Sequence, residues 1–189
     1  VVSAAGDING DGLDDLLIGA PYADISGKTD AGASYVIYGR TSGNSNIDLR
    51  YLSSSRGMRI AGLDAEDQAG IPASAGDING DGLADIVVGA PGGDRSSLGK
   101  QANTGGVFVR LGSPTGLANG NSLSGLDGAN GFRMVGEDSG DRVGHSVTVG
   151  QSGDINGDGF DDLIVGARGP APTASISAAA MWCSGRMAC

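Results

Sequence analysis

The chain has 189 residues, of which 36 are glycine, and it carries a formal net charge of −10 with aromatic residues at only 4%. That acidity, with no Lys/Arg cluster, argues against a nucleic-acid surface, and no apolar run approaches the roughly 20 residues of a membrane span. The length suits one ordinary domain, whose core must be built from Val, Ile, Leu and Ala in thin layers.

The first element in the chain is a nine-residue loop, DINGDGLDD at 7–15, and it returns as DINGDGLAD at 77–85 and DINGDGFDD at 154–162. Oxygen side chains at loop positions 1, 3, 5 and 9, with Gly at position 6, predict a cage for a hard cation, best suited to Ca²⁺. In the first copy Asp7, Asn9, Asp11 and Asp15 supply side-chain oxygens and Leu13 its carbonyl. The second copy uses Asp77, Asn79, Asp81 and Asp85 with the Leu83 carbonyl, and the third Asp154, Asn156, Asp158 and Asp162 with that of Phe160. Asn-Gly and Asp-Gly also make plain hairpin turns, but a turn has no need of three carboxylates. Asp14 and Asp161, at position 8, are expected to face solvent and add only to the local negative potential. Three Ca²⁺ would cancel six of the ten net negative charges. Without them, neighbouring carboxylates repel, so the fold is expected to depend on the ion.

Each loop leads into a strand. An EF-hand or dockerin loop ends in an acid at position 12 and enters a helix, whereas position 12 here is Ile18, Val88 and Val165. The loops run into LLIGAP at 16–21, IVVGAP at 86–91 and LIVGAR at 163–168. Short β-branched runs stopped by Gly predict buried strands, so the cation belongs to a strand–loop–strand hairpin. Downstream lie AGASYVIYG at 31–39 and TGGVFVRLG at 104–112, both strand-like alternations. Upstream of the second and third loops lie GMRIAG at 57–62 and GFRMVG at 131–136, followed by QAGIPASAGD at 68–77 and DRVGHSVTVGQSGD at 141–154.

Each unit thus offers about four short strands separated by Gly-rich turns, and that repeat predicts an all-β chain built as a partial β-propeller of four-stranded antiparallel blades. The expected units are 1–56, 57–125 and 126–168, followed by a distinct tail at 169–189. The connections at 41–50 and 111–125 are expected as solvated surface loops. The one histidine, His145, lies in an alternating run and is expected as a strand residue, since no nucleophile or orienting acid accompanies it.

From Arg168 the texture changes to RGPAPTASISAAAMWCSGRMAC, which holds Trp182 and both cysteines, Cys183 and Cys189. The two cysteines permit a short-loop disulfide, though 182 residues without cysteine suggest no framework. Ala180-Met181-Trp182-Cys183 must be encoded GCN ATG TGG TGY. Read from that N, the codons become NAT GTG GTG, and the extended frame permits PNGLDFGGSYVVFG. A frameshift near Arg168 is therefore expected, with the third partner strand missing or badly paired and the tail lacking an evolved role.

The order strand, D-x-N-G-D-G-x-x-D, apolar strand, G-A-P, then G-x-x-Y-V-x-x-G resembles the FG-GAP repeat of integrin α-subunit propellers and their bacterial relatives, over nearly the whole chain to about Arg168. Two departures are visible: Phe-Gly appears as Ala69-Gly70 and Val143-Gly144, and Gly-Ala-Pro becomes Gly166-Ala167-Arg168 in the third copy. The resemblance implies seven blades of about 60 residues in a complete ring, so this chain reads as a fragment. It further implies a secreted or cell-surface, non-enzymatic segment serving adhesion or protein interaction, with a protein or cell-surface ligand and structural Ca²⁺. The alternative it implies is the accessory propeller of a larger secreted enzyme, such as a glycosylphosphatidylinositol-specific phospholipase D.

Overall fold

The computed structural model describes residues 1–43, 46–93, 103–117, 123–149, 153–169 and 180–183. The described residues form three antiparallel sheets. The first runs β1 (Val2–Gly6), β2 (Asp15–Ala20), β3 (Ala33–Ile37), β4 (Gly57–Ala61). The second repeats it with β5 (Ile71–Gly76), β6 (Asp85–Ala90), β7 (Gly106–Arg110) and β8 (Gly131–Val135). The third contains β9 (Val143–Val149), β10 (Leu163–Ala167) and β11 (Ala180–Cys183). This is a partial β-propeller, with its sheets side by side and the first strands β1, β5 and β9 adjacent.

Each sheet is a meander, so strands that follow one another in sequence pair. The acid loops join the first two strands of every sheet as hairpins, with Leu17 opposite Ser3, Val87 opposite Ala73 and Ile164 opposite Thr148. The register slips at Gly6 and again at Gly76, a bulge where the loop departs. Two boundaries differ from expectation. Gly57–Ala61, expected to open the second unit, pairs with β3 and closes the first sheet, with Tyr35 opposite Arg59. In the same way Gly131–Val135 closes the second sheet against β7 rather than opening the third.

Because strand side chains alternate between faces, the middle sheet serves two neighbours. Ile86, Val88 and Ala90 of β6 and Phe108 of β7 pack with Leu17, Val36, Met58 and Ile60 of the first sheet. Val87, Val107, Val109 and Met134 face the other way and pack with Val143, Leu163 and Val165 of the third. All six residues of β6 are therefore buried, whereas β2 alternates. The connection at 111–125, expected to be solvated, sends Leu111, Leu117 and Leu123 into the core. The Leu117 N–H donates to the Tyr38 hydroxyl at 3.1 Å, pinning that loop to the first sheet.

The tail also departs from expectation. A partner for β10 is present: Val165 lies opposite Met181, Ile164 opposite Trp182 and Leu163 opposite Cys183. Backbone pairing demands extended chain rather than a particular side chain, so the edge of β10 is covered by this sequence too. The proposed disulfide partner Cys189 lies outside the described residues. By register Met181, Trp182 and Cys183 occupy the places of Tyr35, Val36 and Ile37, which is where the shifted frame would compel Val-Val and permit a Tyr before it. The gene, read in that frame, is expected to continue through this segment as a Gly-rich approach to Val-Val; an early stop codon there would sink the frameshift.

Candidate metal loops

Each loop is a backbone coil wound around its first aspartate. Asp7 Oδ1 accepts from Gly10 N–H at 2.7 Å and Asp11 N–H at 3.1 Å, and Oδ2 from Gly12 N–H at 2.8 Å. Asp77 does the same with Gly80, Asp81 and Gly82, and Asp154 with Gly157, Asp158 and Gly159. Loop positions 4 and 6 lie at positive φ in every copy, 74° and 82° at Gly10 and Gly12, which is why both are glycine. The N–H groups around Asp154, that of Gly159 foremost, hold its carboxyl below its usual range.

The third and fifth residues hold one another. Asn9 Oδ1 accepts from Asp11 N–H at 2.9 Å, and Asn9 Nδ2 donates to Asp11 Oδ2 at 3.1 Å. The pairs Asn79–Asp81 and Asn156–Asp158 repeat this contact at 2.9 and 3.1 Å. Asp11 Oδ1 also accepts from Leu13 N–H, Asp81 Oδ1 from Leu83 N–H and Asp158 Oδ1 from Phe160 N–H, at 2.9, 2.9 and 3.0 Å. The position-7 residues thereby have their peptide units fixed against the fifth. Among the described residues no three acidic, His or Cys side chains converge tightly enough to hold an ion as they stand.

The ninth residue has a second task that the sequence pattern did not reveal. Asp15, Asp85 and Asp162 are buried, at 3%, 0% and 0% exposure. Asp15 Oδ2 accepts from Ile8 N–H at 3.0 Å and Oδ1 from Gly39 N–H at 2.8 Å, tying the hairpin to the end of β3. Asp85 repeats the tie through Ile78 at 2.9 Å and Gly112 at 2.8 Å. Asp162 Oδ2 accepts from Ile155 N–H at 2.7 Å, but its buried Oδ1 has no partner among the described residues. Burial pushes the Asp85 carboxyl up to about 7, with a further push from the charges of Asp81 and Asp77. Asp15 is raised for the same reasons, burial first and then Asp11 and Asp7. The carboxylates of one loop are thus close enough to repel.

Position 8 resolves into two cases. Asp14 is exposed, as expected. Asp161 is not directed to solvent: its Oδ2 accepts from Asp77 N–H, on the neighbouring sheet's loop, at 2.7 Å. His145 is an exposed residue of β9, with Nε2 3.5 Å from Arg168 Nη1.

The FG-GAP repeat matches residues 1–37, 72–109 and 146–175, each segment holding one of the three hairpins. The chain belongs to the FG-GAP repeat family. It is 34% identical over 165 residues to integrin alpha-PS5 of Drosophila melanogaster, covering 87% of this chain and 14% of that protein. Integrin alpha-5 of Xenopus laevis is 35% identical over 172 residues, 88% of this chain and 14% of the relative. Phosphatidylinositol-glycan-specific phospholipase D of Bos taurus is 31% identical over 163 residues, 85% and 17% respectively. The chain therefore spans less than a fifth of the length of these relatives.

The fold explains why the family pattern keeps its two glycines. The Gly of Gly-Ala-Pro on one sheet meets the Gly of the Phe-Gly position on the next. A Cβ on Gly19 would overlap the Gly70 carbonyl oxygen, and one on Gly89 that of Gly144. Both halves of the FG-GAP signature therefore describe a single contact between blades, where backbone touches backbone.

Proposed function

We propose that the three loops bind Ca²⁺, and that the chain is a calcium-stabilised FG-GAP segment of a secreted or cell-surface protein that mediates adhesion or protein interaction. The observation that carries this reading is one coil geometry repeated three times around its first aspartate, together with the repulsion that Asp11 and Asp7 exert on buried Asp15, and Asp81 and Asp77 on buried Asp85. A hard cation relieves that repulsion, and the donor set is oxygen throughout. Asp77, Asn79, Asp81, Asp85 and the Leu83 carbonyl would hold it in the second loop, with equivalent sets around Asp7 and Asp154. Ligation exchanges the Asn79–Asp81 side-chain contact for bonds to the ion, while the backbone coil already has its turns. The ion supplies charge neutralisation and cross-linking rather than chemistry. Extracellular modules bind Ca²⁺ at about 10⁻⁴–10⁻³ M, which suits a location outside the cell.

The second reading, an accessory propeller of a larger enzyme, is favoured by the identity to phosphatidylinositol-glycan-specific phospholipase D over 85% of the chain. A catalytic domain encoded beside this segment in the full-length gene would decide for it.

Calorimetric titration is expected to show Ca²⁺ binding at three sites and far weaker Mg²⁺ binding, because Mg²⁺ demands about six oxygens at about 2.0–2.1 Å. Asp11→Ala, Asp81→Ala and Asp158→Ala are each expected to remove one site. No Ca²⁺ binding, or equal binding of Mg²⁺, would refute the assignment.

A further inference from the structure

The loops are not independent, because the first and the second are each gripped by the loop of the following sheet. Ala84 N–H donates to the Asp7 carbonyl at 2.9 Å, and Asp161 N–H to the Asp77 carbonyl at 3.1 Å. The position-7 side chain of the following loop covers the fourth residue. Leu83 Cδ2 lies 3.1 Å from where Gly10 would carry a Cβ, and the Phe160 ring lies against Gly80. The third loop has no described sheet after it, and there Ile155 is 54% exposed, against 0% for Ile8 and 6% for Ile78.

The two boundaries differ at one side chain. Asp161 Oδ2 accepts from Asp77 N–H at 2.7 Å, so both backbone polar groups of Asp77 are held by one residue. Gly76 and Gly153 make room for that carboxylate, since a Cβ on either would overlap it. At the first boundary the same place is taken by Ala84, which leaves only the backbone bond.

We propose that Asp161 is a positioning residue that couples the second loop to the third, so that cation binding at one strengthens binding at the other. The inference rests on the Ca²⁺ reading of the loops. Asp77 is the residue around which the second loop winds, and fixing its peptide pre-organises that loop. Asp161 also adds a negative charge beside the second site. It lies in sequence between the Phe160 carbonyl and Asp162, two proposed ligands of the third site, so an ion there fixes the residue between them. Linkage makes the effect reciprocal. The first and second loops share only the weaker, carboxylate-free form of this contact.

The test uses the 189-residue chain with Asp11→Ala removing the first site, and Ca²⁺ titrated calorimetrically. Asp158→Ala is expected to weaken the second site about ten-fold, inside the usual range of coupling between sites. Asp161→Ala is expected to weaken it similarly and to leave Asp158→Ala without further effect. Asp161→Asn keeps an oxygen for Asp77 N–H and is expected to retain part of the coupling. In chelator, Asp161→Ala is expected to speed hydrogen exchange at the Asp77 amide but not at Asp7. Ala84→Asp, in a chain with Asp11 restored, is expected to make the first site sensitive to Asp81→Ala to the same degree. If Asp161→Ala leaves the second site unchanged, or, in a chain with Asp11 restored, weakens the first equally, the coupling is overturned while the Ca²⁺ reading survives. Failure of the unmutated chain to bind Ca²⁺ overturns both.

Discussion

Gly89→Ala is expected to destabilise the chain by about 3 kcal/mol, the upper part of the range for overpacking. The added methyl would overlap the Gly144 carbonyl oxygen and lie 3.0 Å from its carbon and 3.3 Å from the Gly144 Cα. All three atoms are backbone, so no rotamer change relieves the clash, and the second and third sheets must separate. Separation uncovers Val87, Val107, Leu163 and Val165, which are nearly inaccessible in the packed chain. Gly125→Ala is the control: its Cβ would meet nothing within 4 Å, and its effect is expected to stay within about 0.5 kcal/mol. Urea midpoints of the two variants decide the matter. Equal midpoints would mean that the glycine–glycine contact between blades does not set their spacing.

Asp85→Ala, measured in chelator, is expected to cost a further class of energy, about 3 kcal/mol. The substitution strands the Ile78 and Gly112 N–H groups, which now lie 2.9 and 2.8 Å from its two oxygens. Each buried unpaired donor costs about 1–3 kcal/mol. Asp85→Asn keeps one oxygen acceptor and removes the penalty of a buried charge, so it is expected to lose about half as much. Asp81→Ala alters an exposed residue of the same loop and is expected to shift chelated stability by less than about 1 kcal/mol. All three are proposed to weaken or abolish Ca²⁺ binding at the second loop. Thermal unfolding with and without Ca²⁺ therefore separates the ligand role from the structural one. If Asp85→Ala and Asp81→Ala are equally mild in chelator, the tie between hairpin and outer strand carries little stability.

Much of this architecture was open to sequence reading because it rests on local signals. Runs such as Ile86 to Val88, closed by Gly89, can hardly be anything but buried strand, and three near-identical loops imply three equivalent hairpins. The two-sided burial of β6 was not legible, since the equally apolar β2 alternates in burial; it comes from the sheets packed on both sides of β6. What escaped reading depends on contacts between distant residues. Asp85 carries the same letter as Asp81, yet one is buried and pushed up to about 7 while the other is exposed. Asp161 looked like a solvent-facing neighbour of a ligand because its acceptor role involves an N–H 84 residues away. Leu117 and Leu123 sit in a Gly-, Ser- and Asn-rich stretch whose composition reads as surface, and only the docking of Tyr38 shows where they go. The strand at Gly57–Ala61 has the right alternation, but alternation does not say which sheet it joins.

The unequal burial of the three sheets has a consequence for how the chain comes apart. A row of modules, each touching only its neighbours, gains stability from interfaces, and the member with two interfaces opens last. β6, covered on both faces, sits at that position, while β2 leaves Leu16 38% exposed and β1 leaves Val2 67% exposed. In the 189-residue chain taken by itself, loss of structure is therefore expected to proceed inward from the outer sheets toward the middle one. The second loop inherits the protection of the most persistent sheet, whereas the first and third share the fate of the ends. Three loops of nearly one sequence thus form a graded series, ranked by their place in the row rather than by their own residues.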